Sequence, residues 1–197
     1  MLKIAHIITG LEVGGAEMML YHLLSATDRD AFAPRVLALQ GVGPVGERIR
    51  DELGIPVDGL DMRPSIPDPR AAWRLARWLR ADPPDVVQTW MYHADLLGGV
   101  VARLATRAPV VWGMQHTTLD AGSAKQRTIW IMRVLARLSY VVPTRIVAAA
   151  QAGQEVHTAQ GYAAGKFIHI PNGFDIERFR PDAAARDSVR AELGLAP

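Results

Sequence analysis

The sequence predicts an α/β fold, a doubly wound, Rossmann-like parallel sheet flanked by helices. Short apolar runs typical of buried strands alternate along the chain with longer amphipathic segments typical of helices. Alternation of this kind implies right-handed crossovers between parallel strands. The 197 residues, of which 49% are hydrophobic, are enough to bury one sizeable core.

Each element is predicted from its own run of residues. Gly54 ends the second helix, Asp82 and two prolines end the third, and Pro143 separates the fifth helix from the strand after it. Asp182 is a candidate N-cap for the last helix. The predicted strands are residues 4–9, 35–39, 56–60, 86–90, 110–114, 145–149 and 167–170. The predicted helices are residues 16–25, 44–53, 69–81, 94–105, 124–140, 152–160 and 182–193.

Composition excludes several classes of protein. The chain has no cysteine, which removes disulfides, thiolate catalysis and cysteine zinc sites, and which favours a cytoplasmic location. Residues 129–150 are apolar, but Arg133, Arg137, Pro143 and Arg145 interrupt them, so a membrane-spanning helix is not expected. A net charge of +2 gives little support to a nucleic-acid partner.

One segment, residues 125–138, is both basic and apolar. Lys125, Arg127, Arg133 and Arg137 lie among apolar residues that include Trp130. One interpretation is a surface helix with a solvated basic side. The alternative is peripheral contact with anionic lipid at the inner face of the membrane.

The first strand leads into a glycine turn, residues 10–17 (GLEVGGAE), and then into an apolar helix. Gly14 and Gly15 lack Cβ atoms, so the backbone can turn sharply and a ligand can come close. The helix after them presents unpaired N–H groups and the positive end of its dipole, which suits a diphosphate. The alternative is that both glycines only pack the helix against the strand.

Polar residues also follow the fourth and fifth strands. His93 and Asp95 come after one and His116 after the other, so all three belong to the same edge of a parallel sheet. His116 stands in a polar run with no packing purpose and is the stronger candidate for ligand contact. His93 has a structural alternative, in which it caps the following helix alongside Asp95. No paired histidine spacing supports a metal site, so none is expected.

Three common enzyme signatures are absent from the sequence. The chain has no GxSxG elbow, no GxxxxGK[ST] loop and no GxGxxG fingerprint, because its first turn reads from Gly10 to Gly15 as GLEVGG. Serine hydrolases, P-loop NTPases and ordinary dinucleotide dehydrogenases are therefore disfavoured together.

Taken in order, these features resemble the N-terminal half of a GT-B glycosyltransferase of the retaining, sugar-nucleotide-dependent family 4 type. The resemblance covers essentially the whole chain, and its last motif is the most specific. The matching motifs are Gly10 with residues 14–17 (GGAE), residues 90–97 (WMYHADLL), residues 113–117 (GMQHT) and residues 170–181 (IPNGFDIERFRP).

The resemblance implies a role for each motif. His116 would be catalytic and face the transferred sugar. The donor diphosphate or the acceptor would lie at Gly14, Gly15 and Glu17. No metal or other cofactor is implied. The acceptor side would consist of His93, Asp95, Gln115 and Thr117, and the turn before the second domain would contain Asn172 and Gly173.

The resemblance also implies two domains. Residues 1–181 would form the acceptor-side domain, and residues 182–197 a hinge helix toward a C-terminal domain that binds the donor. The partners would be that domain, a nucleotide sugar and a glycan or lipid-linked acceptor used in cell-surface polysaccharide synthesis, and the chain alone would be inactive. Two alternatives stay open from the residues: a complete small transferase or epimerase, and a non-catalytic binding module.

Overall fold

The computed structural model of the chain describes residues 1–63, 69–115, 126–177 and 179–196. For residues 126 and 127 it describes the backbone only. Seven parallel strands form one sheet in the order β3-β2-β1-β4-β5-β6-β7, which confirms the doubly wound fold. The strands are β1 (Leu2–Ile8), β2 (Phe32–Ala38), β3 (Val57–Gly59), β4 (Val86–Trp90), β5 (Val110–Met114), β6 (Arg145–Ala148) and β7 (Phe167–His169).

Helices fill the connections between the strands. Asp182 accepts hydrogen bonds from the backbone N–H groups of Ala184 and Ala185, which confirms it as an N-cap. The helices are α1 (Gly15–Ser25), α2 (Gly43–Leu53), α3 (Pro69–Ala81), α4 (Tyr92–Ala94), α5 (Val100–Ala105), α6 (Gln126–Leu138), α7 (Gln151–Ala159) and α8 (Ala183–Glu192). A π-helical segment (Asp95–Gly99) joins α4 to α5, and a short 3-10 helix (Ala164–Lys166) precedes β7.

The sequence predicts a helix over residues 94–105. In the structure this helix begins at Tyr92, and its residues 95–99 form a wider π-helical turn. Two glycines explain the close fit of this segment to the sheet. A Cβ on Gly98 would lie 2.8 Å from Cγ2 of Ile7, and one on Gly99 would lie 2.6 Å from Nε1 of Trp112. Only a chain without side chains at both positions can rest so directly on β1 and β5.

The core consists of two apolar clusters, one on each face of the sheet. Ile7 and Ile8 are neighbours in β1 and belong to different clusters, because successive side chains of a strand point to opposite faces. The cluster that contains Ile7 also contains buried residues of α3, α5 and α6, whereas the cluster of Ile8 contains those of α1 and α2. Among the described helices, none is long and apolar enough to cross a membrane.

A buried histidine lies in the middle of the sheet. His6 of β1 is almost fully buried, and its Nδ1 accepts a hydrogen bond from Nε1 of Trp90 at 3.3 Å. An Nδ1 that accepts carries no proton. Burial lowers the pKa of His6 to about 4, so the folded chain holds this ring neutral at pH values where an unfolded histidine is charged.

Acidification is therefore expected to destabilise the domain through His6. Between about pH 6.5 and pH 4 the unfolded chain binds a proton that the folded chain does not, so stability falls as the pH falls through this window. Urea unfolding at about pH 7 and about pH 5 should show a loss about 2 kcal/mol larger in the parent chain than in His6→Asn. The matched variant of the exposed His169, His169→Asn, should keep the parent's dependence; equal losses in all three proteins would contradict the assignment.

Candidate functional site

The candidate site lies at the carboxyl edge of the sheet, between β1 and β4. These strands are neighbours, yet the chain leaves β1 toward β2 and leaves β4 toward β5, in opposite directions across the sheet. Such a switch point opens the crevice where doubly wound proteins bind ligands. Because adjacent strands lie about 4.8 Å apart, the segments after β1, β4 and β5 begin within about 10 Å of one another.

The glycine turn after β1 is held in place by contacts with the start of α2. The carbonyl of Leu11 accepts a hydrogen bond from the N–H of Val45 at 3.0 Å. Gly43 has a left-handed φ of +60°, and a Cβ there would lie 2.5 Å from the same carbonyl oxygen. Only glycine fits this contact, which holds the turn in place against the start of α2.

Gly14 and Gly15 leave the start of α1 open. Gly14 is the N-cap residue and supplies no side-chain cap to the helix, and Gly15 is its first residue. A Cβ built on Gly15 would meet nothing within 4 Å. No part of the described chain fills the space above Gly15, which argues against a packing role for this glycine, and its binding role stays a prediction. The exposed N–H groups of the first turn are the kind that bind an anion.

Glu17 lies over the same turn. A Cβ on Gly14 would be 2.4 Å from Oε2 of Glu17, so this carboxylate covers the N-cap residue from the first turn of α1. A carboxylate is stabilised by the positive end of the helix dipole. It repels phosphate and accepts hydrogen bonds from hydroxyl groups. The chemistry at Glu17 thus favours a hydroxyl donor, whereas an anion suits the open side at Gly15.

The segment after β4 begins with an unusual backbone. Met91 has φ 72° and ψ 157°, a conformation that costs energy in any residue with a side chain. Two backbone hydrogen bonds hold it, from the N–H of Met91 to Gly113 and from the N–H of Asp95 to Met91. The turn places His93 exposed at the carboxyl edge, where the sequence predicted it. Its role there stays a prediction.

Asp95 lies in the core and not on the exposed rim. Its side chain is 0% exposed, and Oδ1 accepts a hydrogen bond from Oγ1 of Thr89 at 2.5 Å. Oδ2 has no hydrogen-bond partner within the described part of the chain. Burial raises the pKa of Asp95 well above its ordinary value, which favours the neutral acid. Any effect of Asp95 on an acceptor would have to act through Thr89 and the turn at Met91.

A buried pair beside Asp95 was missed by the sequence analysis. The hydroxyl of Tyr92 lies 2.7 Å from Nε2 of His157, and Nδ1 of His157 lies 2.6 Å from the carbonyl oxygen of Gly153. A carbonyl only accepts, so Nδ1 carries the proton and Nε2 accepts from Tyr92. Burial raises the pKa of Tyr92, with the nearby Asp95 adding to the shift. This pair ties the start of α4, and with it the backbone of His93, to α7.

The remaining predicted residues lie further along the edge. Gln115 is half-buried directly after β5. His116 and Thr117 lie outside the described residues, so their predicted roles stay predictions. Asn172 and Gly173 are exposed after β7, which is three strands away from β4. β7 itself lies about 14 Å from β4 across the sheet, and the hinge role of Asn172 and Gly173 stays a prediction.

Side chains suited to a metal do not gather in the described part of the chain. In those ranges no three histidine, aspartate or glutamate side chains come together as a metal site would require. The expectation that the chemistry needs no metal stays a prediction.

Comparison with known families connects this site to a class of enzyme. Residues 13–178 match the protein family described as Glycosyltransferase Family 4. The chain belongs to Glycosyltransferase Family 4. The match begins in the glycine turn and ends just after the Asn172 segment, so it includes every predicted site residue of this glycosyltransferase domain. No curated protein matches the sequence.

Solved structures confirm the fold, which forms about half of each neighbour with a GT-B architecture. Anabaena HepE in complex with UDP is similar over 98% of this chain and 50% of its own, with 22% identity and a TM-score of 0.77. The apo lipopolysaccharide outer core galactosyltransferase WaaB matches over 91% and 50%, with 14% identity and a TM-score of 0.65. UDP-N-acetylglucosamine 2-epimerase from Rickettsia bellii matches over 100% and 52%, with 13% identity and a TM-score of 0.63. The glycosyltransferase domain spans about half the length of each.

Proposed function

We propose that this domain is the acceptor-side half of a retaining glycosyltransferase, which moves a sugar from a nucleotide sugar to a glycan or lipid-linked acceptor. The observation that carries the proposal is the open start of α1 at the switch point, in a chain that belongs to Glycosyltransferase Family 4. The structure of HepE with UDP supports a nucleotide-sugar donor by analogy.

The chemistry proposed for the site is electrostatic. As the bond from sugar to diphosphate breaks, negative charge grows on the leaving diphosphate and positive charge on the sugar ring. The N–H groups at Gly15 and the dipole of α1 would stabilise the diphosphate. Glu17 would accept hydrogen bonds from hydroxyl groups of the sugar or acceptor, and His116 would face the transferred sugar. No step requires a metal ion.

Exposed apolar residues at the end of the domain support the proposal of a second domain. Ile170, Phe174 and Ile176 are all largely exposed after β7, and α8 has no buried residue. Contiguous exposed apolar surface is typical of an interface with another folded unit. We propose that a second domain covers this surface and supplies most of the donor contacts.

An epimerase is the second candidate. The match to the Rickettsia bellii enzyme, which is a UDP-N-acetylglucosamine 2-epimerase, favours it on fold alone. An epimerase changes the configuration of a sugar on its nucleotide and needs no acceptor. Incubating the two-domain protein with UDP-N-acetylglucosamine in the absence of an acceptor separates the candidates, because only an epimerase would convert the sugar and leave it on UDP.

Gly15→Val in the two-domain enzyme tests the proposed site. We expect an unchanged melting temperature, because a side chain at this position meets no atom within 4 Å. We also expect donor or acceptor affinity to fall about tenfold or more, which is about 1.4 kcal/mol of binding free energy, since the side chain enters the space assigned to the ligand.

Gly165→Val is the matched control. Gly165 is also exposed with nothing within 4 Å of a built Cβ, but it lies before β7 at the opposite edge of the sheet. Its variant should keep both the melting temperature and the affinities. Unchanged donor and acceptor affinity in a folded Gly15→Val enzyme would remove the glycine turn from the site.

A further inference from the structure

One helical layer of the domain is strongly and uniformly basic. The helices α3, α5 and α6 together contain eight arginines and neither aspartate nor glutamate. On the other face of the sheet, α1 and α2 together contain four acidic residues and two arginines. A net charge of +2 for the whole chain therefore hides a marked asymmetry between its two faces.

The three helices lie side by side on one face of the sheet. Leu75 of α3, Ala102 of α5 and Ile131 of α6 are buried in the same apolar cluster. α3 packs against α5, and α6 packs against the segment that leads into α5. Their outward sides therefore form one broad surface, which we call the arginine face. It comprises the exposed side chains Trp73, Arg77, Arg103, Leu104, Trp130, Arg133 and Arg137.

Within the described ranges, no acidic side chain neutralises the charges of this surface. Arg77, Arg103, Arg133 and Arg137 are exposed, and none of them forms an ion pair with an acidic residue in the described ranges. Elsewhere on the chain arginines do pair, as Arg48 does with Glu52 at 3.0 Å. Unpaired arginines on one surface produce a positive potential that attracts an anionic partner.

Large apolar side chains stand among these arginines, one on each helix. Trp73 of α3 is 63% exposed, Leu104 of α5 is 79% exposed and Trp130 of α6 is 61% exposed. The guanidinium of Arg77 lies 5.6 Å from the centre of the Trp73 ring. Tryptophan prefers the headgroup region of a bilayer, where its ring is partly buried and its N–H remains hydrated.

We propose that the arginine face docks on the surface of a membrane that contains anionic lipids. Arginines would contact lipid phosphates while the tryptophans and Leu104 enter the headgroup region. A polyanion such as a nucleic acid would use the arginines but would gain little from three separated apolar side chains. The proposal does not rest on the proposed function, because charge and exposed apolar side chains alone carry it.

The docked orientation keeps the candidate site accessible. In a doubly wound sheet the helices run antiparallel to the strands, so α5 and α6 begin at the carboxyl edge. The crevice at the β1–β4 switch point would then lie at the border of the docked surface and not beneath it. If the proposed function holds, a lipid-linked acceptor would reach the site from the side of the bilayer.

Flotation with vesicles tests the proposal on the chain as it stands. The chain should float with vesicles of equal parts phosphatidylcholine and phosphatidylglycerol and remain unbound with phosphatidylcholine alone. The binding should be lost as ionic strength is raised to about 1 M, where charges are screened beyond about 3 Å. Equal binding to both kinds of vesicle, or none to either, would overturn the proposal.

Substitutions locate the surface. The triple variant Arg77→Gln, Arg133→Gln, Arg137→Gln should lower vesicle affinity about 100-fold, at about fivefold for each arginine. The control variant Arg29→Gln, Arg50→Gln, Arg186→Gln removes the same charge outside the arginine face and should change the affinity less than about threefold. Equal losses in the two triple variants would show attraction by net charge and would overturn the assignment.

A second pair of variants distinguishes lipid from other polyanions. Leu104→Ser with Trp130→Ser should lower vesicle affinity about tenfold and leave heparin binding unchanged, because only a bilayer accepts apolar side chains. Leu23→Ser, on the opposite face, should bind vesicles like the parent chain. Unchanged vesicle affinity in the Leu104 and Trp130 variant would overturn the lipid assignment in favour of a general polyanion site.

Discussion

Replacing His116 with alanine in the two-domain enzyme is expected to lower turnover by about 10² or more while leaving the fold intact. In the sequence His116 comes two residues after the end of β5 and directly after Gln115. Under the proposed function its imidazole would act on charge that develops in the transition state, so its removal should affect turnover and not folding. Turnover and melting temperature measured on the same preparation separate these two effects.

The control for His116→Ala is His22→Ala. His22 lies in the last turn of α1, at the end of the helix that points away from the glycine turn. Its variant should keep the turnover of the parent enzyme. If His116→Ala also stays within a factor of about two of the parent, a difference of less than about 0.5 kcal/mol in barrier, His116 is not part of the catalytic machinery.

The fold could be predicted from the sequence because its signals are local. The bounds of β4, β5 and α3 agree with the predicted ranges, since each is an apolar or amphipathic run with a proline or a charged residue directly beside at least one end. Asp182 was recognised as a cap for the same reason. The first turn of α1 was recognised from two adjacent glycines, although their open surroundings could be seen only in three dimensions.

The sequence analysis misplaced one site residue and missed others, and all of them depend on contacts between distant parts of the chain. Asp95 is expected on the rim because it follows β4, but after the turn at Met91 its side chain is fully buried and bonds to Thr89. Tyr92 and His157 are 65 residues apart in the sequence and meet only in the folded chain. The strained backbone of Met91 has no signature in residue type, since its side chain is not one that favours positive φ.

The basic segment shows what a local sequence pattern can and cannot predict. Residues 125–138 are basic and apolar in sequence, and this pattern fits both a solvated surface helix and a helix that contacts lipid. The structure adds α3 and α5 to the same layer, with four and one arginines respectively. These helices are separated from α6 in the sequence, so only the sheet topology brings them together.

The chain of 197 residues is expected to transfer no sugar by itself. In the proposed two-domain enzyme the site would lie between the domains, and this chain, which spans about half the length of HepE, would provide one side of it. Without the second side the donor and the acceptor are not held together, and such positioning contributes roughly 7 to 11 kcal/mol to lowering the barrier. A radiolabel transfer assay with the two-domain enzyme as positive control should find no product from residues 1–197 and full activity from the longer protein.

Calorimetric titration of residues 1–197 with common nucleotide sugars tests most directly whether this domain is one half of a glycosyltransferase. We expect binding in the millimolar range or weaker, about −4 kcal/mol or less favourable, because the proposed second domain would supply most donor contacts. Thermal unfolding of the same sample should first establish that the domain is folded. Micromolar binding by the domain alone would contradict the proposed half-enzyme and would favour a complete small enzyme.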